Sequence, residues 1–495
     1  MRNFRLQAWL LGRTTPSGAQ QGLTRAVRGG NWVKPLPAAL AGAACCLLAQ
    51  AAWGGVVRQT VYSTAPSQYS VSFSGLVQAA DGNFYGTTPK SNSGGYGSVF
   101  RVTPAGVMTT VFSFGVNGYG LDPEGGLALA TNGNLYGTAA SGGIYGRGTL
   151  FKITTTGTFQ LVHPFNSNDG SLPRYNLVQA SDGYLYGVTG SSLTNAATIF
   201  RATLAGALTT LTNFPAAMPG DNANPNDGLV EGPDGWLYGT VSIPTASYGK
   251  IGAIYKISTT GAFQTLAYFY GTSGGQLPPT GNRPLCGLTV GTDGFLYGTA
   301  GHEYSIYFTT NQGQAFRMTT DGVLTTVLTF YGTNGANPMT RLLAAQDGCL
   351  YGLTTQGGPS NSGTIFRLTT DGVLTTLANA FGIYAADQGF PPLIQAADGN
   401  LYGTGMVGSL GSISAIVFRL VEPPRITAAA WSGGPFTLTW SSFSNGAYRL
   451  AYKSALNDPT WTTQASTVTA TGSSASGSDS PGGAGQRFYR VVLLP

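Results

Sequence analysis

Histidines and adjacent carboxylates are the residues of this chain best suited to acid–base chemistry. Only two histidines are present, His163 and His302, and they lie far apart in the sequence. His302 is followed directly by Glu303, which forms the one adjacent acid/base pair worth testing. A hydrolase or lyase needs paired carboxylates, or a base with an orienting partner. No GxSxG element occurs, and the sequence predicts no catalytic constellation, no metal site and no cofactor.

A second set of reactive residues is the aspartate of a phrase that occurs seven times. The copies are DGNFYGT (81–87), NGNLYGT (132–138), DGYLYGV (182–188), DGWLYGT (234–240), DGFLYGT (293–299), DGCLYGL (347–353) and DGNLYGT (398–404). Seven metal or sugar sites are one interpretation, but a calcium loop needs several oxygen ligands and each copy offers one carboxylate. Asp-Gly and Asn-Gly are the strongest short signals for a two-residue type I′ hairpin turn. The phrase therefore favours scaffolding, with its second glycine inside a strand permitting close approach of a neighbouring blade.

A second repeated phrase, for example SVFRVTPAG (98–106) and TIFRLTTDG (364–372), places a cation at one point of each repeat. These residues are Arg101, Lys152, Arg201, Lys256, Arg317, Arg367 and Arg419. A ring of seven cations could bind a polyanion. Pairing with nearby acids or solvent is the simpler interpretation, and it is the one we favour.

The elements that carry these residues recur with a regular period. The tyrosine of the first phrase recurs in steps of 51, 50, 52, 59, 54 and 51 residues, and each unit contains four strand-like stretches, here named A to D. Four strands in about 50 residues are the dimensions of a propeller blade. The last unit lacks its own strand D, and the stretch VVRQTVYS (56–63) supplies one. We therefore expect a seven-bladed β-propeller over residues 56–422, closed by an N-terminal strand.

Composition and the remaining sequence support an all-β fold class. Glycine accounts for 74 of 495 residues and charged residues for only 9%, which suits short strands joined by tight turns. After residue 422 the period stops, and alternating stretches over 423–495 predict a small β-sandwich of the immunoglobulin or fibronectin-III type.

The net charge of +6 is concentrated at the N-terminus. Residues 1–51 carry six basic groups and no acid, which leaves 19 basic and 19 acidic groups in the rest of the chain. No basic stripe for nucleic-acid binding is present. A basic leader, an apolar run and Ala49-Gln50-Ala51 predict a secretory signal peptide over 1–51. The apolar run is shorter than the roughly 20 residues of a membrane span, so we expect a secreted or cell-surface protein with no membrane span after cleavage.

Loop lengths indicate where binding would occur. The A–B and C–D turns hardly vary, whereas the B–C and D–A connections do, and these lie on one face of a propeller. Variable loops on a fixed scaffold usually carry specificity. The longest loops belong to the fourth and fifth blades, and their candidate binding residues are Tyr248, Tyr270, Arg283, His302, Glu303, Tyr304 and Tyr307. Aromatic rings among amide and hydroxyl groups suit a glycan or an extracellular protein as partner.

With both phrases in register over roughly residues 60–420, the array resembles the GloVer-type choice-of-anchor tandem repeat of secreted bacterial proteins. The shared features are the DGxLYGT turn, a GG-containing loop and the GxIFRxTxxG strand. The resemblance implies an exported, propeller-like protein without an assigned activity.

These observations lead to one main expectation and two alternatives. The main expectation is a monomeric, non-catalytic exported protein that binds or adheres through the variable-loop face. The alternatives are a polysaccharide-active hydrolase or lyase with its site in the fourth and fifth blades, and a purely structural envelope protein. Cys286 and Cys349 occupy different positions in their repeats, which favours two buried free thiols over a disulfide.

Overall fold

Every regular element in the described part of the chain is a β-strand. The computed structural model describes residues 45–47, 56–65, 72–89, 95–116, 118–190, 197–214, 224–243, 250–270, 283–284, 286–301, 312–380, 391–409, 412–421, 424, 426–430, 435–442, 446–455, 457–472, 474–480 and 487–494. Within these ranges the all-β fold class is confirmed. They hold no helix long and apolar enough to cross a membrane. The chain divides into two compact units, one being 57–421 and the other 1–56 with 422–495.

Within the described residues, the unit 57–421 contains seven antiparallel sheets, numbered here 1 to 7 in chain order, each with strands A to D. Strands A are Val77–Gln78, Ala128–Leu129, Val178–Gln179, Val230–Glu231, Thr289–Val290, Leu343–Ala344 and Ile394–Gln395. Strands B are Phe84–Thr88, Leu135–Ala139, Leu185–Val188, Leu237–Ser242, Leu296–Gly301, Leu350–Gln356 and Leu401–Ser409. Strands C are Ser98–Val102, Thr149–Ile153, Thr198–Ala202, Lys250–Ile257, Gln314–Met318, Thr364–Leu368 and Ser412–Val421.

The fourth strand of sheet 7 comes from the other end of the array. Strands D of sheets 1 to 6 are Met108–Ser113, Phe159–Pro164, Leu208–Asn213, Phe263–Tyr270, Leu324–Thr329 and Leu374–Asn379. In sheet 7 this place is taken by Val57–Ser63, which pairs antiparallel with Ser412–Val421, as the sequence predicted. In sheets 4 to 6 the C-terminal end of strand B also pairs antiparallel with a short strand. These short strands are Asn224–Pro225, Arg283–Pro284 and Ala336–Pro338.

Neighbouring sheets pack face to face through apolar side chains. Tyr238 of sheet 4 packs in one buried cluster with Phe316 of sheet 5. Sheet 7 returns to sheet 1, where Tyr402 packs with Phe84 and their ring centroids lie 4.3 Å apart. Sheets that follow one another and return to the first form a propeller-like arrangement.

The A–B connection is a three-residue loop, so the predicted two-residue type I′ turn is wrong. In sheet 1 the N–H of Gly82 donates to the carbonyl of Ala79 at 2.9 Å, and the N–H of Ala79 donates to the carbonyl of Asn83 at 3.0 Å. Gly82 has a φ of 79°, whereas Asp81 has no positive φ. The carboxylate of Asp81 accepts the N–H of Asn83 at 3.1 Å, which suits a type I turn followed by a left-handed glycine.

The aspartate of the repeated phrase also holds the buried tyrosine four residues later. The tyrosine hydroxyl donates to this carboxylate at 2.6–2.8 Å in six repeats. In sheet 2 the partner is neutral, because Asn132 Nδ2 donates to the Tyr136 hydroxyl at 3.0 Å. Burial, followed by the bond to Asp293, raises the pKa of Tyr297 to about 12. The scaffolding interpretation of the phrase therefore has a direct structural basis.

Removing this hydroxyl has a measurable cost. We expect Tyr297→Phe to lower the free energy of unfolding by about 2 kcal/mol, because the lost bond has a charged acceptor. Tyr136→Phe should cost about 1 kcal/mol, since the side-chain partner Asn132 is neutral. Urea denaturation of both variants checks this order, and an equal or larger loss in Tyr136→Phe would contradict it.

The glycine after the tyrosine faces an aromatic ring of its own sheet, which corrects the expectation that it admits a neighbouring blade. In sheet 5 Gly298 pairs with Phe316 on strand C. A Cβ on Gly298 would lie 2.4 Å from Phe316 Cζ and 2.8 Å from Leu288 Cδ2. The same pairing recurs in all seven sheets described. The strand-C ring thus occupies the space that a side chain would need.

The strand-C cations bind within the scaffold. Lys256 Nζ lies 4.9 Å from the ring centroid of Trp236 and donates to the carbonyl of Thr320 in the next sheet at 3.0 Å. Arg201 Cζ lies 5.0 Å from the ring centroid of Tyr184, and Arg201 Nη1 donates to the carbonyl of Thr259 at 3.0 Å. The structural interpretation of the second phrase fits these contacts better than a polyanion site does.

The second unit contains two sheets. One consists of Ile426–Ala430, Phe436–Ser441 and Ser474–Asp479, and the other of Ala447–Lys453, Thr462–Thr463, Val468–Thr469, Arg487–Leu493 and the parallel strand Cys45–Leu47. Trp440 is fully buried and its ring centroid lies 5.8 Å from that of Tyr448. Trp461 is partly exposed, and its ring centroid lies 4.5 Å from Arg490 Cζ.

Candidate functional site

A cavity of about 320 Å³ lies within the unit 57–421, lined mainly by the D–A connections of different sheets. Its polar and titratable lining residues include Asp122, Glu124, Arg174, Tyr175, Asn176, Asn226, Asp227, Cys286 and Arg341. The D–A connections belong to the face that loop-length variation predicted to be the binding face. Acids and bases far apart in sequence therefore meet in one concave site.

A proline anchors each of several D–A connections. Three residues separate this proline from the leucine before strand A in the stretches PEGGL (123–127), PRYNL (173–177), PNDGL (225–229), PLCGL (284–288) and PMTRL (338–342). The proline packs against a glycine of the preceding sheet, since a Cβ on Gly148 would lie 2.5 Å from Pro173 Cδ. The three residues between two fixed points differ from repeat to repeat, and most of those described line the cavity.

Asp122 and Glu124 form a pair of carboxyl groups at one side of the cavity. Burial is the main cause that raises the pKa of Glu124, and neighbouring Asp122 raises it further, while Arg174 opposes both. Asp122 has a left-handed φ of 65°, but Leu172 and Asn337 before the corresponding prolines have 56° and 54°. The left-handed backbone thus belongs to the repeat, and the carboxyl pair is particular to this connection.

Arg174 faces Glu124 without a direct hydrogen bond. Its Nε lies 3.6 Å from Glu124 Oε2. Both atoms are buried and neither has a hydrogen-bond partner within the described residues. A buried polar atom without a partner is costly. A substrate oxygen placed between these two atoms would satisfy both.

Asp227 is a third carboxyl group, held in a different way. Its Oδ1 accepts the N–H of Gly228 at 2.7 Å and Nδ2 of Asn176 at 2.9 Å. The Oδ1 of Asn176 accepts the N–H of Gly126 at 2.7 Å, which links Asp227 to the connection that carries Glu124. Asp227 Oδ2 lies 3.9 Å from Arg341 Nη1. Asp227 is thus fixed in position by neutral donors and a cation.

Cys286 lines the cavity but is unsuited to nucleophilic attack. Its Sγ lies 2.9 Å from Thr299 Oγ1 and 3.1 Å from the carbonyl of Thr340. Burial raises the pKa of its thiol to about 11, so the reactive thiolate is scarce at neutral pH. Cys286 and Cys349 are both free and buried, as the sequence predicted.

The arrangement suits acid–base chemistry on a polar substrate. Carboxyl groups whose surroundings differ can divide the roles of acid and base between them. Arg174 and Arg341 can stabilise negative charge that develops on substrate oxygens. Among the described side chains, no group of three or more His, Cys, Asp or Glu is placed to hold a metal ion.

The predicted binding residues stand apart from this cavity or outside the described ranges. Tyr248, His302, Glu303, Tyr304 and Tyr307 lie outside the described residues. Tyr270 is 39% exposed at the end of strand D of sheet 4. Arg283 donates to the carbonyl of Ile243 at 3.4 Å. Neither Tyr270 nor Arg283 lines the cavity, and a role for this set in binding stays a prediction.

The sequence-based search missed Glu124, Arg174 and Arg341 because it looked for partners close together in the sequence. A usable signal was present, namely three differing residues between a recurrent proline and a recurrent leucine. Variation at fixed positions of a repeat marks the places where the fold does not dictate the side chain.

Comparisons with known proteins give one family and several distant structures. A family model described as the Gloeobacter/Verrucomicrobia repeat matches residues 72–305 and 278–431. A structure from Bacteroides uniformis, described as a 6-phosphogluconolactonase, is 13% identical with a TM-score of 0.43, over 82% of this chain and 99% of that one. A puromycin hydrolase is 12% identical with a TM-score of 0.42, over 77% of this chain and 59% of that one.

A third structure, described as a gluconolactonase, is 12% identical with a TM-score of 0.35, over 74% of this chain and 95% of that one. No curated protein sequence matches the chain. The prediction of a non-catalytic binding or adhesion protein, and with it the prediction that the chain is not an enzyme, is wrong on this comparison, because these similar structures are named as lactonases and a hydrolase. The physical reason for the error is that the carboxyl groups of the cavity come from different repeats.

Proposed function

The chain belongs to the Gloeobacter/Verrucomicrobia repeat family, and from that premise we propose that it is an exported polysaccharide-active enzyme, a hydrolase or a lyase. Its active site is the cavity between the D–A connections. The observation that carries the proposal is the half-buried Glu124, whose carboxyl group has a raised pKa and whose Oε2 lies 3.6 Å from Arg174 Nε. A carboxyl group that keeps its proton to higher pH is suited to protonate a leaving oxygen.

The proposed architecture is a seven-bladed propeller over 56–422, closed by its N-terminal strand, and an immunoglobulin- or fibronectin-III-like sandwich over 423–495. The pairing of Val57–Ser63 with Ser412–Val421 supports the closed ring. The contact of Trp440 with Tyr448 between two sheets supports the sandwich. Residues 1–51 would direct export and be removed, which would take the strand Cys45–Leu47 from its sheet in the second unit. The exported chain would act as a monomer.

In the hydrolytic version, Glu124 gives its proton to the glycosidic oxygen as the bond from that oxygen to the sugar carbon breaks. A water molecule forms the new bond to this carbon and passes its proton to Asp227. Arg174 orients Glu124 and binds a substrate oxygen. Two carboxyl groups in these roles are the usual means of glycoside cleavage.

The predicted loop residues of the fourth and fifth repeats would contact substrate outside the cavity. Tyr270 is exposed, and aromatic side chains suit sugar rings. Arg283, Tyr248, His302, Glu303, Tyr304 and Tyr307 complete this proposed outer contact.

A turnover screen with the purified chain tests the proposal. The substrates are neutral and acidic polysaccharides, assayed for new reducing ends and for ultraviolet absorbance of an unsaturated product. New reducing ends alone indicate a hydrolase, and absorbance with new ends indicates a lyase. Absence of turnover on every substrate would overturn the proposal.

The pH dependence of kcat/KM supplies a sharper test. Turnover needs protonated Glu124, so kcat/KM should fall as pH rises through the raised pKa of this group. Arg174 lowers that pKa, and Arg174→Met is therefore expected to move the alkaline limb to higher pH. An unmoved limb, or one moved to lower pH, would contradict the assignment of Glu124 as the acid.

A further inference from the structure

Four exposed aromatic and aliphatic side chains lie on the connection that enters sheet 2 and on the B–C loop of the same sheet. Ile144 and Tyr145 are 67% and 57% exposed, and Tyr119 and Val116 are 41% and 82% exposed. We propose that these four residues, called here the sheet-2 platform, bind sugar rings of a polysaccharide. The proposal rests on the proposed function, because it extends the substrate from the cavity to neighbouring units of the same chain.

The loop that carries Ile144 and Tyr145 is built to hold them in place. Gly142, Gly143, Gly146 and Gly148 all have left-handed φ values, between 69° and 101°. The N–H of Gly148 donates to the carbonyl of Gly142 at 3.0 Å, and the N–H of Gly146 donates to that of Gly143 at 3.1 Å. A loop whose backbone is already fixed loses little conformational entropy when it binds.

A loop of the same design in sheet 6 shows that the fold does not require an aromatic tip. There the N–H of Gly363 donates to the carbonyl of Gly357 at 3.0 Å, and the N–H of Asn361 donates to that of Gly358 at 3.1 Å. Its tip carries Pro359 and Ser360 in place of Ile144 and Tyr145. Equal backbone hydrogen bonds with different tips mean that this loop can fold without the exposed tyrosine.

The sheet-2 platform is continuous with the connection that enters the cavity. Thr149 Oγ1 donates to the carbonyl of Tyr119 at 2.9 Å. The N–H of Leu121 donates to the carbonyl of Ser141 at 2.7 Å, which ties this connection to the Ile144–Tyr145 loop. Asp122 of the carboxyl pair is the next residue. A polymer held in the cavity would therefore find the platform along the same connection.

The chemistry of the platform suits carbohydrate. The ring of Tyr119 packs against Phe159, with centroids 5.3 Å apart, which fixes one side of the surface. A sugar ring has an apolar C–H face that packs on aromatic rings and hydroxyl groups that bond to surrounding polar atoms.

Affinity electrophoresis tests this inference separately from catalysis. Full-length Glu124→Gln, which leaves the polymer intact, is run in native gels containing β-glucan, xylan, galactomannan, pullulan or polygalacturonate. We expect at least one polymer to retard the protein, and Tyr145→Ala added to this background to weaken that binding about tenfold, a factor typical of one aromatic contact. Tyr145→Phe should retain binding, and Ser360→Ala on the matched loop should not change it.

Two results would overturn the inference: no retardation by any of the five polymers, or equal retardation with and without Tyr145→Ala and Ile144→Ala. The thermal midpoints of the variants should equal that of the parent, since both side chains are exposed. The proposed function is judged by turnover of the unmodified chain. A binding result and a turnover result can thus fail independently.

Discussion

Glu124→Gln is expected to lower kcat on the polysaccharide substrate by about 10²- to 10⁴-fold, the usual contribution of a positioned general acid. Glutamine has nearly the same shape as glutamate, so the cavity should keep its form. It cannot donate an acidic proton to the leaving oxygen. The kinetic constants are measured at the optimum pH of the unmodified chain, and KM should change far less than kcat because the loss is confined to the transition state.

The matched control is Glu231→Gln. Glu231 accepts hydrogen bonds from Ser181 between two sheets and does not line the cavity. It should keep full turnover, which excludes a general effect of losing a carboxylate. If Glu124→Gln retained the activity of the unmodified chain, the assignment of this residue as the acid would be lost.

Gly298→Ala is expected to lower the free energy of unfolding by about 3 kcal/mol, at the upper end for an overpacked core. The new Cβ would meet Phe316 Cζ at 2.4 Å and Leu288 Cδ2 at 2.8 Å. Phe316 and Leu288 are both fully buried, so neither can move away without opening the core. Urea denaturation measures the change.

Two further variants separate overpacking from a general intolerance of alanine. Gly115→Ala should be neutral within about 0.5 kcal/mol, because no atom lies within 4 Å of its Cβ position and its φ is not positive. Phe316→Leu introduced with Gly298→Ala should recover part of the lost stability, since the ring is then gone. A double variant less stable than either single variant would contradict this account.

The sequence predicted the repeated scaffold well because each repeated phrase reports a local requirement. The aspartate, glycine and tyrosine of DGxLYGT fix a turn, a ring contact and a buried hydroxyl, and these needs recur in every repeat. The missing strand D of the last repeat likewise predicted the pairing of Val57–Ser63 with Ser412–Val421. Patterns that serve the fold are visible in one sequence because the fold repeats them.

The candidate site was less visible for the opposite reason. Glu124, Arg174 and Asp227 are each particular to one repeat, because the matching positions of the other repeats hold different residues. Only the propeller-like arrangement brings their connections together. The predicted type I′ turn failed for a related cause. Asp81 bonds to its own loop and to Tyr85, and these contacts select the right-handed region over the conformation that dipeptide statistics favour.

The pairing of the first strand with the last repeat has a consequence for the order of folding. Thr64 and Ala415, which are hydrogen-bonded to each other, are 351 residues apart in sequence. Sheets 1 to 6 can form from contiguous residues as synthesis proceeds, but sheet 7 must wait for the end of the array. Closing a flexible loop of this length costs about 5 kcal/mol of chain entropy. Preassembled sheets 1 to 6 shorten the flexible part, so ring closure should be the last and most length-sensitive step of folding.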